Sequence, residues 1–238
     1  MELIITHIYP ELLNQYGDWG NILTLKKRIV ARGIEVKTLE VAPGEKPDFE
    51  NTDIMYLGGG SEKSNIRAYN ELIKLKSELK TYVEQGKTAL AVCGGYEMLG
   101  ESLFIDGKKY KGLGITSTVT VPGKNRLIGN IVTESKTLGF DIVGFENHTG
   151  RCNIGNHTPL GNVKHGYGNS DNGNTEGIIY KNLLGTYIHG PILPKNPLLA
   201  DYIISCALKN KYGKSELSPL DDTIEIKAHN YIKTKYSK

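Results

Sequence analysis

The run Thr88-Ala89-Leu90-Ala91-Val92, followed at once by Cys93-Gly94-Gly95, constrains the fold more than any other stretch. An apolar strand ends there in a nucleophile-type residue, and a helix start follows at Gly95. Small residues stand two before and two after Cys93. That spacing suits a tight strand-to-helix elbow, which holds the side chain above the sheet and lets the backbone approach closely. The helix N-terminus behind it presents free N–H groups and a positive dipole end, which favour a thiolate and a developing oxyanion.

The residues before the elbow alternate strand and helix. Leu3–Ile8, Ile34–Leu39 and Asp53–Leu57 read as strands. Ile22, Leu25 and Ile29 lie at helical spacing within 21–32, and Gly33 stops that helix. A helix over 65–85 carries Ile66, Leu72, Leu79 and Val83, and ends at Gly86. Such alternation predicts an α/β fold, with a mostly parallel sheet flanked by helices. Past residue 102 the runs become short and β-like: Ile115–Val121, Asn130–Thr133, Leu138–Val143, Gly177–Tyr180 and Leu184–Ile188. They predict additional antiparallel strands in the C-terminal half. Gly166–Gly173 is a polar, glycine-rich loop. Asn196-Pro197 is a cap pair that opens a helix over 197–210. Asp221 or Asp222 caps a last helix over 223–235, whose buried stripe is expected to be Ile224, Ala228 and Tyr231 or Ile232. With no internal repeat and no long linker, the expectation is one domain over residues 1–238.

Composition excludes several classes. The chain has 238 residues, 29 Lys+Arg, 26 Asp+Glu and a net charge of +3. That charge is small and spread out, so no nucleic-acid partner is expected. No apolar run reaches the roughly 18 residues of a membrane span. Glu2 stands where a secretory signal carries basic residues, so the chain is expected in the cytoplasm. Three cysteines give no even disulfide framework. His148, Cys152 and His157 lie close in sequence, but their spacing fits no zinc pattern, and no metal is expected. No G-x-x-x-x-G-K-[ST] loop occurs, so the chain shows no sign of binding ATP, and no cofactor is expected.

A cysteine nucleophile needs a base. His189 ends the apolar run Leu184–Ile188 just before a turn, which places it at a sheet edge; His148 in Phe145-Glu146-Asn147-His148 is the rival. His7, His157, His165 and His229 read as structural. Gly58-Gly59-Gly60 also follows a strand, so backbone N–H groups there can reach a ligand, with Gly94 as the other half of an oxyanion hole.

These pieces resemble class I glutamine amidotransferases of the cobyric acid synthase branch, and within it the glutaminase subunits of lipid II isoglutaminyl synthases. The resemblance covers nearly the whole chain. It is carried by Asn14–Asn21 (NQYGDWGN), Gly58-Gly59-Gly60-Ser61, Val92–Tyr96, Asn125-Arg126-Leu127, Val143–His148 and Asn182–Pro191. It implies that Cys93 is the nucleophile, His189 its partner, and Arg126 a contact for the α-carboxylate of L-glutamine. Substrate-binding backbone is then expected at Gly59, Gly60 and Gly94. It also implies an ATP-dependent, Mur-ligase-like synthetase as partner in a heterodimer, which uses the ammonia to convert D-glutamate to D-isoglutamine in the lipid II stem peptide. Two departures stand out. Glu97 occupies a position where the superfamily often has Gln. Pro191 stands two residues after the histidine, where many members carry the orienting Glu. Asp18, or a carboxylate lent by a partner, is the candidate replacement. Other readings of the residues are a glutaminase for cobyrinate-type amidation, a different Cys-elbow hydrolase of the PfpI type, and an interaction module with an inert Cys93.

Overall fold

The computed structural model describes residues 1–236. The first half runs β1 (Glu2–Ile8), α1 (Trp19–Val30), β2 (Glu35–Val41), β3 (Ile54–Leu57), α2 (Glu62–Leu72), α3 (Lys76–Glu84), β4 (Thr88–Val92) and α4 (Gly94–Met98). Then come β5 (Ser102–Ile105), β6 (Lys108–Lys111), β7 (Val119–Ser135), β8 (Phe140–Asn153), β9 (Gly161–His165) and β10 (Thr175–Glu176). The chain closes with β11 (Ile178–Tyr180), β12 (Leu183–Thr186), β13 (Ile188–His189), α5 (Pro197–Tyr212) and α6 (Thr223–Tyr236).

The first sheet has the order β11-β12-β4-β3-β1-β2. Its neighbours are parallel except at the edge, where β11 runs antiparallel to β12. Successive side chains leave a strand on opposite faces. Ile54, Tyr56, Leu90 and Val92 therefore pack with Ile22, Leu25 and Ile29 of α1 and Leu199, Ile203 and Ala207 of α5. Met55, Leu57, Ala89 and Ala91 pack on the other side with Ala68, Leu72, Leu79 and Val83 of α2 and α3. Helices thus cover both faces, as a parallel sheet requires. The second sheet joins β10-β9-β7-β5-β6, and β8 pairs with both β7 and β13. Its principal unit is the long antiparallel pair β7–β8.

Several local expectations are corrected. The helix expected over 65–85 is two helices, broken by a 3-10 turn at Ile73–Leu75. The strand expected at 115–121 starts only at Val119, and β7 and β8 are far longer than their apolar kernels. The β5–β6 hairpin turns on Asp106-Gly107, both at positive φ, the geometry that an Asp-Gly pair favours. The run expected as one strand over 184–188 is two, in different sheets: β12 pairs with β4, and β13 pairs with β8.

The C-terminal helix does not bury most of its expected stripe. Ile224, Ala228 and Tyr231 are exposed, Ile232 is half-buried, and no residue of α6 is fully buried. Polar contacts hold it instead: Asp222 pairs with Arg28, His229 Nδ1 bonds the Lys195 carbonyl, and Lys233 pairs with Asp141. A preference for the apolar face is overridden by ion pairs in place on the body.

Asn196 does not cap its own helix through its side chain. Its Oδ1 accepts the Val143 N–H at 2.9 Å, and its Nδ2 donates to the Val143 and Ile192 carbonyls at 2.7 Å each. It therefore ties β8 to the start of α5. Each buried backbone group left unpaired costs about 1–3 kcal/mol. Asn196→Ala is expected to lower unfolding free energy by about 2–4 kcal/mol in a denaturant titration; a change within about 0.5 kcal/mol would remove this tie from the account.

Candidate active site

The carboxyl ends of the parallel strands carry the site, as in open α/β sheets generally. Cys93 follows β4 with φ +51° and ψ −115°, a strained conformation for a non-glycine residue. It is half-buried. The small neighbours expected at the elbow are needed sterically. A Cβ on Gly95 would lie 2.5 Å from the Leu57 carbonyl oxygen, and one on Gly94 would lie 2.7 Å from the Asn65 side chain. Across the gap, a Cβ on Gly59 would meet Cys93 Cβ at 3.0 Å. The loop after β3 therefore lies directly against the nucleophile.

The loop's donors are not equivalent. Gly60 N–H donates to Asn65 Oδ1 at 3.0 Å, so here it fixes the loop rather than facing Cys93. The Gly59 carbonyl accepts Gln15 N–H at 2.9 Å, which fastens the loop to the segment after β1. Gln15, Gly60, Ser61 and Ser64 line a polar depression beside it.

His189 ends β13, opposite Phe145 of β8. Its side chain is buried, and its Nδ1 lies 3.2 Å from Asp18 Oδ2. Its Nε2 has no hydrogen-bond partner. Burial alone would lower the pKa of His189. Cys93 and the Asp18 carboxylate outweigh that, and His189 is pushed up to about 10. Cys93 is thus close enough to His189 to act on its charge, while the His189 Nε2 makes no hydrogen bond.

Asp18 reaches the imidazole from the first turn of α1. Aspartate there would ordinarily cap the helix. Here its side chain makes no cap bond, and Asn14 Oδ1 accepts the Trp19 N–H instead. The turn before it is tight, with Tyr16 at φ +61° and Gly17 at φ +74°. The Tyr16 ring stands edge-on to the His189 ring, centroids 5.1 Å apart. Pro191, in the place of the usual acid, packs on α1: a Cβ on Gly20 would sit 2.5 Å from its ring. Asn21 Oδ1 then accepts the Leu193 N–H at 2.9 Å. The start of α1 thus holds His189 through Asp18 and grips the chain just after it.

Arg126 sits on a bulge of β7. Between the pairs Pro122↔Gly150 and Leu127↔His148, β7 advances five residues while β8 advances two. Arg151 supports the bulge from below through Asn125 O at 2.9 Å, and Gly123 leaves room for its guanidinium. Arg126 Nε donates to Asn147 Oδ1 at 2.6 Å and Nη2 to the Asn147 carbonyl at 3.2 Å. Asn147 lies two residues from Phe145, which pairs with His189, so β8 connects the guanidinium to the histidine.

The remaining candidates separate. His148 is committed elsewhere: Nδ1 bonds Gly150 O at 2.9 Å, Nε2 lies 3.5 Å from Glu146, and the ring stacks on Tyr187. Cys152 bonds the Tyr96 hydroxyl, and His157 bonds Ser117. Among the described residues, no three His, Cys, Asp or Glu side chains are grouped to hold a metal ion. No helix among them is long and apolar enough to cross a membrane. Glu97 is half-buried on α4 and accepts the Tyr187 hydroxyl at 2.8 Å. Asn65, Asn147 and Glu176 shape the site; Asn147 and Glu176 carry no local sequence signal, because their partners lie well away in the chain.

Comparison with known proteins identifies the family. Residues 4–197 match the model of the CobB/CobQ-like glutamine amidotransferase domain. The chain is 45% identical over 232 residues to a lipid II isoglutaminyl synthase (glutamine-hydrolysing) subunit GatD of Staphylococcus aureus, covering 97% of this chain and 95% of that one. It is 36% identical over 226 residues to a GatD subunit of Streptococcus pneumoniae, covering 94% and 87%. A cobyric acid synthase of Listeria monocytogenes matches at 31% over 153 residues, but only 29% of that protein is covered. A solved glutamine amidotransferase shares the fold, with a TM-score of 0.57 at 17% identity over 85% of this chain and 98% of that one. Elbow, glycine loop and histidine strand together with these matches lead to one conclusion: the chain belongs to the CobB/CobQ-like glutamine amidotransferase family.

Proposed function

We propose that the chain is a glutaminase that supplies ammonia to an ATP-dependent synthetase resembling Mur ligases. The observation that carries this reading is Cys93 on its positive-φ elbow, coupled to a buried His189 that is itself held by Asp18. Cys93 sulfur attacks the side-chain amide carbon of glutamine. Gly59 and Gly94 N–H groups hold the tetrahedral oxyanion. The His189 imidazolium gives its Nε2 proton to the departing ammonia, leaving a thioester on Cys93. His189, now neutral, takes a proton from water as it attacks the thioester, and glutamate leaves. Asp18 keeps the imidazole in one orientation and stabilises its charged form. Arg126 pairs with the glutamine α-carboxylate, in exchange for its bonds to Asn147.

Ammonia released into bulk water becomes ammonium, which is no nucleophile. A consumer must therefore dock on this chain as the second half of a heterodimer. The names of its two GatD relatives support D-isoglutamine formation in lipid II as the use, with the work done in the cytoplasm, where glutamine and ATP are at hand. The cobyrinate reading is less supported, since the cobyric acid synthase matched is mostly other sequence.

Cys93→Ser is expected to abolish nearly all glutamate release from L-glutamine while leaving glutamine binding by calorimetry in place. Near-normal release would exclude the covalent route.

Asp18→Asn is expected to lower kcat about 100-fold with little change in KM, within the usual range for general acid–base groups. Turnover equal to the unsubstituted chain would remove Asp18 from the site. A pH effect accompanies it. His189 has a folded value of about 10 against 6.5 when unperturbed. Its contribution to stability is therefore fully present below about pH 6.5 and is lost as pH rises through about 10. Thermal midpoints should fall across that window, and fall less steeply in Asp18→Asn; identical slopes would contradict the pairing.

A further inference from the structure

The strand that delivers His189 changes sheets at one residue. β12 ends at Thr186 in the first sheet, and β13 begins at Ile188 in the second. A change of sheet takes buried N–H groups off the ladder, and each then needs another partner. Here those groups belong to Tyr187 and Ile188.

A buried carboxylate provides for both. Tyr187 N–H donates to Glu176 Oε1 at 2.8 Å. The Thr186 hydroxyl donates to the same oxygen at 2.5 Å and accepts the Ile188 N–H at 3.0 Å. The Thr186 carbonyl, in turn, accepts the Cys93 N–H at 2.8 Å. Glu176 thus holds a three-residue segment that is bonded to the nucleophile at one end and continues into His189 at the other.

A second carboxylate holds the same crossover by its side chain. The Tyr187 hydroxyl donates to Glu97 at 2.8 Å, and Glu97 N–H donates to the Cys93 carbonyl at 2.9 Å. The Tyr187 ring is stacked on His148, centroids 3.8 Å apart and planes within 7°. Gly177 permits the approach of Glu176: it has φ +55°, and a Cβ there would lie 2.2 Å from the Gly185 carbonyl oxygen.

Burying a carboxylate is unfavourable unless it is well bonded. Burial pushes both Glu97 and Glu176 up to about 7. Both groups meet at Tyr187, the middle residue of the segment that runs from the Cys93 hydrogen bond to His189. We propose that Glu176 is a positioning residue for the reaction, which fixes His189 relative to Cys93 through Thr186, with Glu97 holding the other end of Tyr187. The proposal rests on the glutaminase reading of Cys93 and His189.

The test uses Thr186→Val, which removes the hydroxyl at nearly constant volume, and Thr186→Ser, which keeps it. Glu176→Gln, which keeps one acceptor oxygen, and Glu176→Ala form a second pair. Glutaminase kcat and KM are measured together with the titration of His189 by NMR on histidine-labelled protein. Thr186→Val should lower kcat about 10- to 100-fold with KM within about threefold, as a small misplacement of reacting groups does. Its His189 titration should move from about 10 toward 6.5, and Thr186→Ser should recover most of both. If Thr186→Val does not fold, the comparison passes to Glu176→Gln against Glu176→Ala, with the same expected split. A folded Thr186→Val with unchanged kcat and His189 titration overturns the proposal, as does a fall in melting point alone. Absence of Cys93-dependent turnover in the unsubstituted chain is a different result. It removes the glutaminase reading, while the His189 titration still decides whether Thr186 and Glu176 set the geometry.

Discussion

The contact between Asp18 and His189 orders much of the molecule. It joins the first turn of α1 to a strand near the other end of the chain, with both side chains out of water. A buried ionisable pair is unfavourable unless its geometry is fixed by other bonds. The surroundings supply that fixing. Positive φ at Tyr16 and Gly17 turns Asp18 inward, Asn14 takes over the cap, and Asn21 and Gly20 clamp the chain after the histidine. Gln15 extends the same segment to the glycine loop beside Cys93. One short stretch, Asn14–Asn21, thereby supplies Asp18 and touches both His189 and the glycine loop.

The two sheets divide the work. The parallel sheet brings Cys93 and the Gly58–Gly60 loop to its carboxyl edge, where helix N-termini and unpaired backbone are available. The antiparallel sheet carries Arg126 on a bulge and pairs β8 with the histidine strand. The site lies where the chain passes from one to the other. A sheet change inside the protein needs polar partners for its backbone. The buried Glu176 carboxylate is the local answer for the backbone, and the half-buried Glu97 takes the Tyr187 hydroxyl.

The sequence was informative where the cause was local. The elbow around Cys93, the glycine loop and the alternation of strands and helices rest on neighbouring residues, and the structure has them. Asp18 was legible only as a candidate, through the absence of an acid at Pro191. The sheet change at Tyr187 was not legible, because Leu184–Ile188 reads as one uninterrupted apolar strand. The Asp106-Gly107 hairpin, by contrast, carries a local signal in its Asp-Gly pair. The orientation of α6 was hidden for another reason. Its periodicity marks an apolar face, but ion pairs with Arg28 and Asp141 select the polar face for docking. Glu176 carries no signal in the sequence, because carboxylates are rarely buried and its partners lie on another strand.

The central claim is that Cys93 is the one cysteine built to attack a glutamine amide. Intact-protein mass spectrometry after exposure to a glutamine-mimicking electrophile tests it most directly. A single adduct on Cys93, suppressed by excess L-glutamine and absent in Cys93→Ala, is the result the account predicts. An unmodified chain, or labelling of Cys152 or Cys206 in its place, would contradict it.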